Sequence, residues 1–281
     1  MGTYYGKQIL FAVAGGFALT AFTGCNDTGF TNAPAGTLIG QVDATGGLGT
    51  PSNPGGVGNT NPPGCTIGTS KKPIRVMFMV DNSGSTNTTD PNKVYRLKSL
   101  QKFQMDYGSN TNLSYTFSYF AGTSSNNYDV PNNKFVTSIP ASPVANSSQL
   151  ASALSKYDGV GASGNTPYKA AFTALGNLVN ADAGAQDYAV AFLSDGQPTD
   201  ISGEANLRGL VSALKSVAAG KGRALTVNTI YFGDPNDKAS FSNLDAMAKE
   251  GNGQFVDTNL IGAGGSLVIN DVINVPGANC Q

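Results

Sequence analysis

Histidine is absent from all 281 residues. Without imidazole there is no Ser-His-Asp or Cys-His catalysis, and no zinc site of the kind that needs a nitrogen ligand. Charge is scarce as well: 17 basic and 18 acidic side chains leave a net charge of −1, with no long basic run. A nucleic-acid surface draws most of its affinity from clustered Lys and Arg, so this composition speaks against nucleic acid as a partner. Large apolar residues are few in residues 26–70, a Gly-, Pro-, Asn- and Thr-rich stretch whose only charges are Asp27 and Asp43. Such a segment has too little to bury to repay the entropy of ordering it. About 200 residues remain, enough for one full core. No internal repeat is evident.

A run long enough to span a membrane is also lacking. Lys7 supplies a short positive region, residues 9–22 are almost wholly apolar, and Thr23-Gly24-Cys25 follows. That run of about 14 residues falls short of the ~20 a membrane-spanning helix requires and reads as an export signal. Its ending at Gly-Cys resembles a bacterial lipobox, in which the signal is removed and the cysteine lipidated. The resemblance implies a signal over residues 1–24, a lipid on Cys25, and anchoring to the outer membrane on its periplasmic or outward face. Phe22 departs from the pattern, standing where Leu is preferred, and ordinary secretion is the alternative. Met1-Gly2 does not signal myristoylation, because Gly6 stands where Ser or Thr is expected.

Cysteines number three. Setting Cys25 aside leaves Cys65 and Cys280, just before and just after the expected domain. Exported proteins keep disulfides, and a doubly wound domain tends to bring its termini together. A Cys65–Cys280 bond is therefore expected, although sequence alone does not establish the pairing.

Residues 74–80 form a nearly continuous apolar run, the pattern of a parallel strand buried on both faces. Asp90-Pro91 reads as an N-cap followed by proline at the first helical position, with Val94, Leu97, Leu100 and Phe103 continuing at helical spacing. Strands are expected at 115–121 and, short and at an edge, at 135–139, with a short helix at 150–157. Thr166-Pro167 opens a helix whose apolar stripe is Ala171, Phe172, Leu175, Leu178 and Val179. Residues 188–193 are a second wholly apolar strand. A helix bearing Leu207, Leu210, Val211 and Leu214 follows, then a strand at 224–232. A helix at 242–249 stopping at Gly251, a strand at 254–257 and a last helix at 266–273 complete the pattern. This alternation implies an α/β, doubly wound fold over residues 73–276, with a mostly parallel central sheet flanked by helices in three layers. Residues 25–72 are expected to be a flexible tether, and 277–281 a tail carrying Cys280.

In such sheets the binding crevice lies beyond the carboxyl ends of the strands, where the strand order reverses. Three loops should meet there: Asp81-Asn82-Ser83-Gly84-Ser85, Gly164-Asn165-Thr166 and Ser194-Asp195-Gly196. They bring two carboxylates and three hydroxyls, an all-oxygen set suited to a hard cation such as Mg2+. The spacing puts Asp81, Ser83 and Ser85 on one side of a tight turn, with Gly84 letting the backbone fold closely.

Asp-x-Ser-x-Ser after the first strand, a Thr-Pro helix start in mid-domain and Ser-Asp-Gly after a later strand resemble the metal-ion-dependent adhesion site of von Willebrand factor A domains. The resemblance covers residues 73–276 and all five ligand positions. It implies Mg2+, or else Mn2+ or Ca2+, with Ser83 and Ser85 coordinating directly. Thr166 would coordinate directly when ligand is bound and through water otherwise, and Asp81 and Asp195 through bound waters. A partner protein's Asp or Glu would fill the remaining position, and ligand capture can be coupled in that family to displacement of the last helix. Physically, two carboxylates only neutralise a divalent ion. Holding them behind waters leaves the metal electron-poor and open to one more anionic oxygen. Asp81 and the serines could simply cap a loop and helix, which explains any one residue but not three converging loops.

Gly159-x-Gly161-x-x-Gly164 fits a dinucleotide fingerprint as a string, but it follows a helix rather than the first strand. It reads instead as a flexible lead-in to Thr166. The expected function is thus capture of a protein ligand rather than catalysis. A structural subunit of an envelope assembly, with the metal site as a fixed joint, is the alternative. A hydrolase using metal-activated water finds no second metal cluster, His base or nucleophile motif in support.

Overall fold

The computed structural model describes residues 72–122, 135–139, 145–261, 267–269 and 273–276. The expected signal, Cys25, nearly all of the tether, Cys65 and Cys280 lie outside the described residues, as does half of the expected last helix. All eight residues of β1 (Ile74–Asp81) are buried. Ile74, Val76, Phe78 and Val80 point into one core, Met77 and Met79 into the other. That two-sided burial is why its sequence runs apolar instead of alternating.

β1 leads into a one-turn helix, α1 (Thr86–Thr89). Next come a π-helical turn at Val94–Lys98 and the continuous α2 (Ser99–Tyr107). β2 (Leu113–Phe120) is followed by β3 (Val136–Ser138) and α3 (Ser147–Asp158). The remainder alternates: α4 (Tyr168–Ala181), β4 (Asp187–Ser194), α5 (Glu204–Gly220), β5 (Leu225–Tyr231), α6 (Lys238–Glu250) and β6 (Asn252–Asp257). The sheet order is β3-β2-β1-β4-β5-β6. Every pairing is parallel except that of the edge strand β3. α2 and α3, with Leu267, Ile269, Ile273 and Val275, cover one face, and α4, α5 and α6 cover the other. The fold is the doubly wound α/β sandwich that the strand–helix alternation implied. Each buried Val, Leu, Ile or Phe is worth about 1.5–3 kcal/mol, so this two-sided core carries the fold and frees the loops above it to be polar. Among the described residues no helix is long and apolar enough to cross a membrane.

The second helix departs from expectation. Asp90 does cap it, its carboxylate accepting from the backbone N–H groups of Val94 (2.6 Å), Tyr95 (3.2 Å) and Arg96 (3.1 Å). Helical structure starts only at Val94, however, so Pro91 lies in a preceding turn rather than at the first helical position. The cause is Lys93, held left-handed at φ 50°, with its Nζ donating to the carbonyls of Tyr157, Asp158 and Val160 at the end of α3. Val94 is consequently 37% exposed, while Arg96 turns inward at 1%. α6 also begins earlier than expected, because the Asp237 carboxylate accepts the Ser240 N–H at 3.1 Å. Of the expected last helix, residues 267–269 and 273 are described, and Ile273 N–H donates to Ile269 C=O at 3.1 Å.

Candidate metal centre

From β1 the chain moves to β2 and β3 on one side, and the later strands β4, β5 and β6 add on the other. β1 and β4 are therefore neighbours, with Val80 beside Leu193, and their loops open together at the reversal point of the sheet,. Ser194, the last residue of β4, donates its hydroxyl to Asp81 Oδ2 at 2.5 Å. The other oxygen of Asp81 accepts the Ser83 backbone N–H at 2.8 Å. With both oxygens engaged and none of it exposed, the Asp81 carboxylate has a single orientation.

The serine hydroxyls of the first loop lie 3.1 Å apart. Ser85 Oγ donates to Asp195 Oδ1 at 3.0 Å. A hydroxyl has one proton, so Ser83 is the donor in the serine pair, and the chain of bonds runs Ser83 to Ser85 to Asp195. Thr89, the last residue of α1, donates to Asp195 Oδ2 at 2.5 Å and fixes the second carboxylate as well. Ser83, Thr166 and Asp195 are buried, whereas Ser85 is exposed and Gly84 half-buried, so the site opens to solvent on the Gly84–Ser85 side.

Thr166 reaches the same place through backbone contacts. Gly84 N–H donates to Gly164 C=O at 2.9 Å and Ser163 N–H to Asn82 C=O at 3.0 Å, while Gly122 and Asn165 exchange two bonds of 2.8 Å. Gly164 has φ 78°, and a Cβ there would lie 1.4 Å from the Gly122 carbonyl oxygen. Only glycine satisfies both demands, which explains Gly164 without a nucleotide. From the other side, the Asp200 carboxylate caps α4 by accepting the N–H groups of Lys169 and Ala170 at 3.0 Å each. Thr199 N–H donates to Thr166 C=O at 2.9 Å, and Tyr168 Oη donates to Gly196 C=O at 2.7 Å. The structure links Ser83, Ser85 and Asp195 by side-chain hydrogen bonds, holds Asp81 to the Ser83 backbone, and ties the loop that carries Thr166 to the first loop through backbone contacts. It adds Ser194, Thr89 and Asp200, which sequence reasoning missed. Ser194 stood inside a recognised motif, and Thr89 lies one helical turn beyond Ser85. Asp200 carried no local signal.

Burial, and then the charge of Asp195, push the Asp81 carboxyl up to about 7, against which the bonds from Ser194 and Ser83 act only in part. Burial raises Asp195 too, opposed first by Thr89 and then by Ser85. Among the described residues no Lys or Arg forms an ion pair with either carboxylate. Two desolvated like charges in one pocket are what a bound cation would relieve. The oxygen spacing agrees. Metal–oxygen bonds of about 2.0–2.1 Å in an octahedron place adjacent ligands about 2.9 Å apart, close to the 3.1 Å between the serines. Among the described residues no three His, Cys, Asp or Glu converge as a metal cluster, so a full coordination shell here would need hydroxyl or water oxygens besides the two carboxylates. The residues fit a divalent ion.

No family model and no curated protein matches the sequence. Solved structures similar to the chain include the pilus adhesin SpaC from Lactobacillus rhamnosus GG in its open conformation, at TM-score 0.48 and 14% identity, covering 66% of this chain and 28% of that one. Another is von Willebrand factor type A from Catenulispora acidiphila, at TM-score 0.46 and 14% identity, covering 66% and 38%. A third is the manganese-loaded TRAP protein of Plasmodium vivax, at TM-score 0.44 and 14% identity, covering 64% of each chain. This chain spans less than half the length of the first two. The likeness is one of fold, and the site stands on its own atoms.

Proposed function

We propose that the chain is an exported, lipid-anchored von Willebrand factor A domain that captures an Asp or Glu side chain of a partner protein through one divalent ion. Mg2+ is the first choice, with Mn2+ or Ca2+ as substitutes. The observation that carries this reading is the pair of serine hydroxyls 3.1 Å apart, backed by two oriented carboxylates and open on one side. Ser83 and Ser85 would hold the ion directly, Thr166 directly or through water, and Asp81 and Asp195 through waters. When bound, the ion supplies an electron-poor centre for one further anionic oxygen. The protein's part is to orient these groups, and binding rather than turnover is the outcome. Residues 1–24 serve as the signal, Cys25 as the anchor, 25–72 as a tether with a mean reach of about 35 Å, and 73–276 as the binding domain. Cys65 and Cys280 pair around it.

Crosslinking in the native envelope, with and without EDTA, tests the proposal when the captured proteins are identified. A partner present with Mg2+, and lost both with EDTA and in Asp81→Ala, is expected. A set of crosslinked partners indifferent to both would overturn it.

A further inference from the structure

Beneath the serine loop lies a buried ion pair with no part in the ligand set described above. Arg96 is 1% exposed. Its Nε donates to Asp90 Oδ2 at 3.2 Å, its Nη1 to Asn82 Oδ1 at 3.0 Å, and its Nη2 to the carbonyls of Thr86 (3.2 Å) and Asp90 (2.8 Å). Asn82 and Thr86 immediately bracket Ser83-Gly84-Ser85. One guanidinium therefore grips both ends of the segment that carries the two serines. The grip extends to the Thr166 loop, because Asn82 Nδ2 donates to Gly161 C=O at 2.8 Å and Asn82 C=O accepts Ser163 N–H at 3.0 Å. Tyr157 Oη also donates to Asn82 Oδ1, at 3.1 Å.

Stability alone is a poor reason for this arrangement. Desolvating two charges is costly, and a well-packed apolar cluster often does as well or better. What the pair offers instead is geometry. The planar fork of an arginine addresses several acceptors at fixed angles, which a lysine cannot reproduce. Groups that hold metal ligands in place strengthen metal binding without touching the metal.

We propose that Arg96, acting through Asn82, is a positioning residue that presets the serine spacing and couples the first loop to the Thr166 loop before an ion arrives. This rests on the metal reading above. The other buried pair, Arg75–Asp182, with side chains 5% and 3% exposed, provides a matched control. It joins the start of β1 to the end of α4, away from the metal loops.

The test is Mn2+ titration of the full chain as wild type, Arg96→Lys, Asn82→Ala and Arg75→Lys, with amide hydrogen exchange of each in EDTA. Arg96→Lys and Asn82→Ala should weaken Mn2+ binding about 10- to 100-fold and speed exchange at residues 83–86 and 163–166. Arg75→Lys should melt earlier yet bind Mn2+ within about twofold of wild type, as expected for a distant site. Should Arg96→Lys fail to fold, Asn82→Ala and Tyr157→Phe carry the test. Wild-type affinity and wild-type exchange in the brace variants would overturn the proposal, as would an equal loss of affinity in Arg75→Lys. A wild type that binds no Mn2+ would instead overturn the metal reading, and the brace's purpose with it.

Discussion

Asp81→Asn removes one of the two buried charges while keeping the shape of the side chain, and in EDTA it should stabilise the protein. The Asp81 carboxyl moves from an ordinary 3.8 to about 7 on folding. At 1.36 kcal/mol per pH unit, carrying that charge in the folded state costs at most about 4 kcal/mol. A raised pKa means that the folded state holds the proton more tightly than the unfolded chain does. The linked stability is therefore fully present below about pH 4, declines as pH rises, and is lost above about pH 7. Asn is neutral throughout and should show no such decline. Its Oδ1 can still accept the Ser83 N–H, and its Nδ2 can donate to the Ser194 hydroxyl oxygen, which is free to rotate.

The assay is urea unfolding across pH, with EDTA and with Mn2+. In EDTA near about pH 8, the variant should exceed wild type by up to about 4 kcal/mol, the gap closing toward about pH 4. With Mn2+ the gap should narrow to about 1–2 kcal/mol. Wild type gains about 2.7 kcal/mol at a hundredfold excess over Kd, or roughly 5–11 °C in Tm for a domain of this size, and the variant gains nothing. A variant less stable than wild type in EDTA near about pH 8 would show that Asp81 is a structural cap, against the reasoning. A retained Mn2+ shift would refute the site assignment.

Thr89→Val frees one oxygen of Asp195 and should weaken Mn2+ binding about tenfold by titration calorimetry, with little change in the Tm of the metal-free protein. Gly164→Ala forces a Cβ into the Gly122 carbonyl at positive φ and should cost roughly 3 kcal/mol or more, read as a fall in the urea midpoint. Burial alone would raise Asp182, but the Gly184 N–H, Arg75 and Tyr188 outweigh it and hold the carboxyl below its ordinary value. The stability this gives is present above about pH 4 and lost as pH falls through the folded-state value, so Asp182→Asn should flatten the acid limb of a circular-dichroism titration. Mass spectrometry of the non-reduced protein should show a Cys65–Cys280 crosslink closing over 200 residues, worth roughly 5 kcal/mol in the chain-entropy account. Free thiols at both positions would refute it.

Elements whose stability is local or two-sided were legible in the sequence. β1 and β4 declared themselves because both faces are buried, and beyond Arg75 and Asp187 near their starts no charged residue interrupts them until they end at Asp81 and Ser194. The start of α2 was not legible. Its boundary depends on Lys93 finding three carbonyls more than sixty residues away, at the end of α3. α1 was equally hidden. Thr-Asn-Thr-Thr has poor helix propensity, and the turn is held by Thr86 Oγ1 donating to Ser83 C=O and by Arg96 Nη2 donating to Thr86 C=O.

The same division runs through the site. A hard cation dictates the type of ligand atom, so Asp81, Ser83, Ser85, Thr166 and Asp195 are chemically conspicuous wherever a chain carries them in order. The groups that orient them face a looser demand: any donor or acceptor at the right place in space will serve, from any stretch of chain. Thr89 could have been found only by foreseeing α1, since one helical turn is what brings it back over Asp195. Asp200 caps a helix whose first residue lies more than thirty positions earlier, and Arg96 reaches the serine loop only because Lys93 delays the helix and turns it inward. Ligand identity is a local property of the chain, whereas ligand geometry is a property of the fold. A substitution that spares all five proposed ligands should therefore still weaken Mn2+ binding.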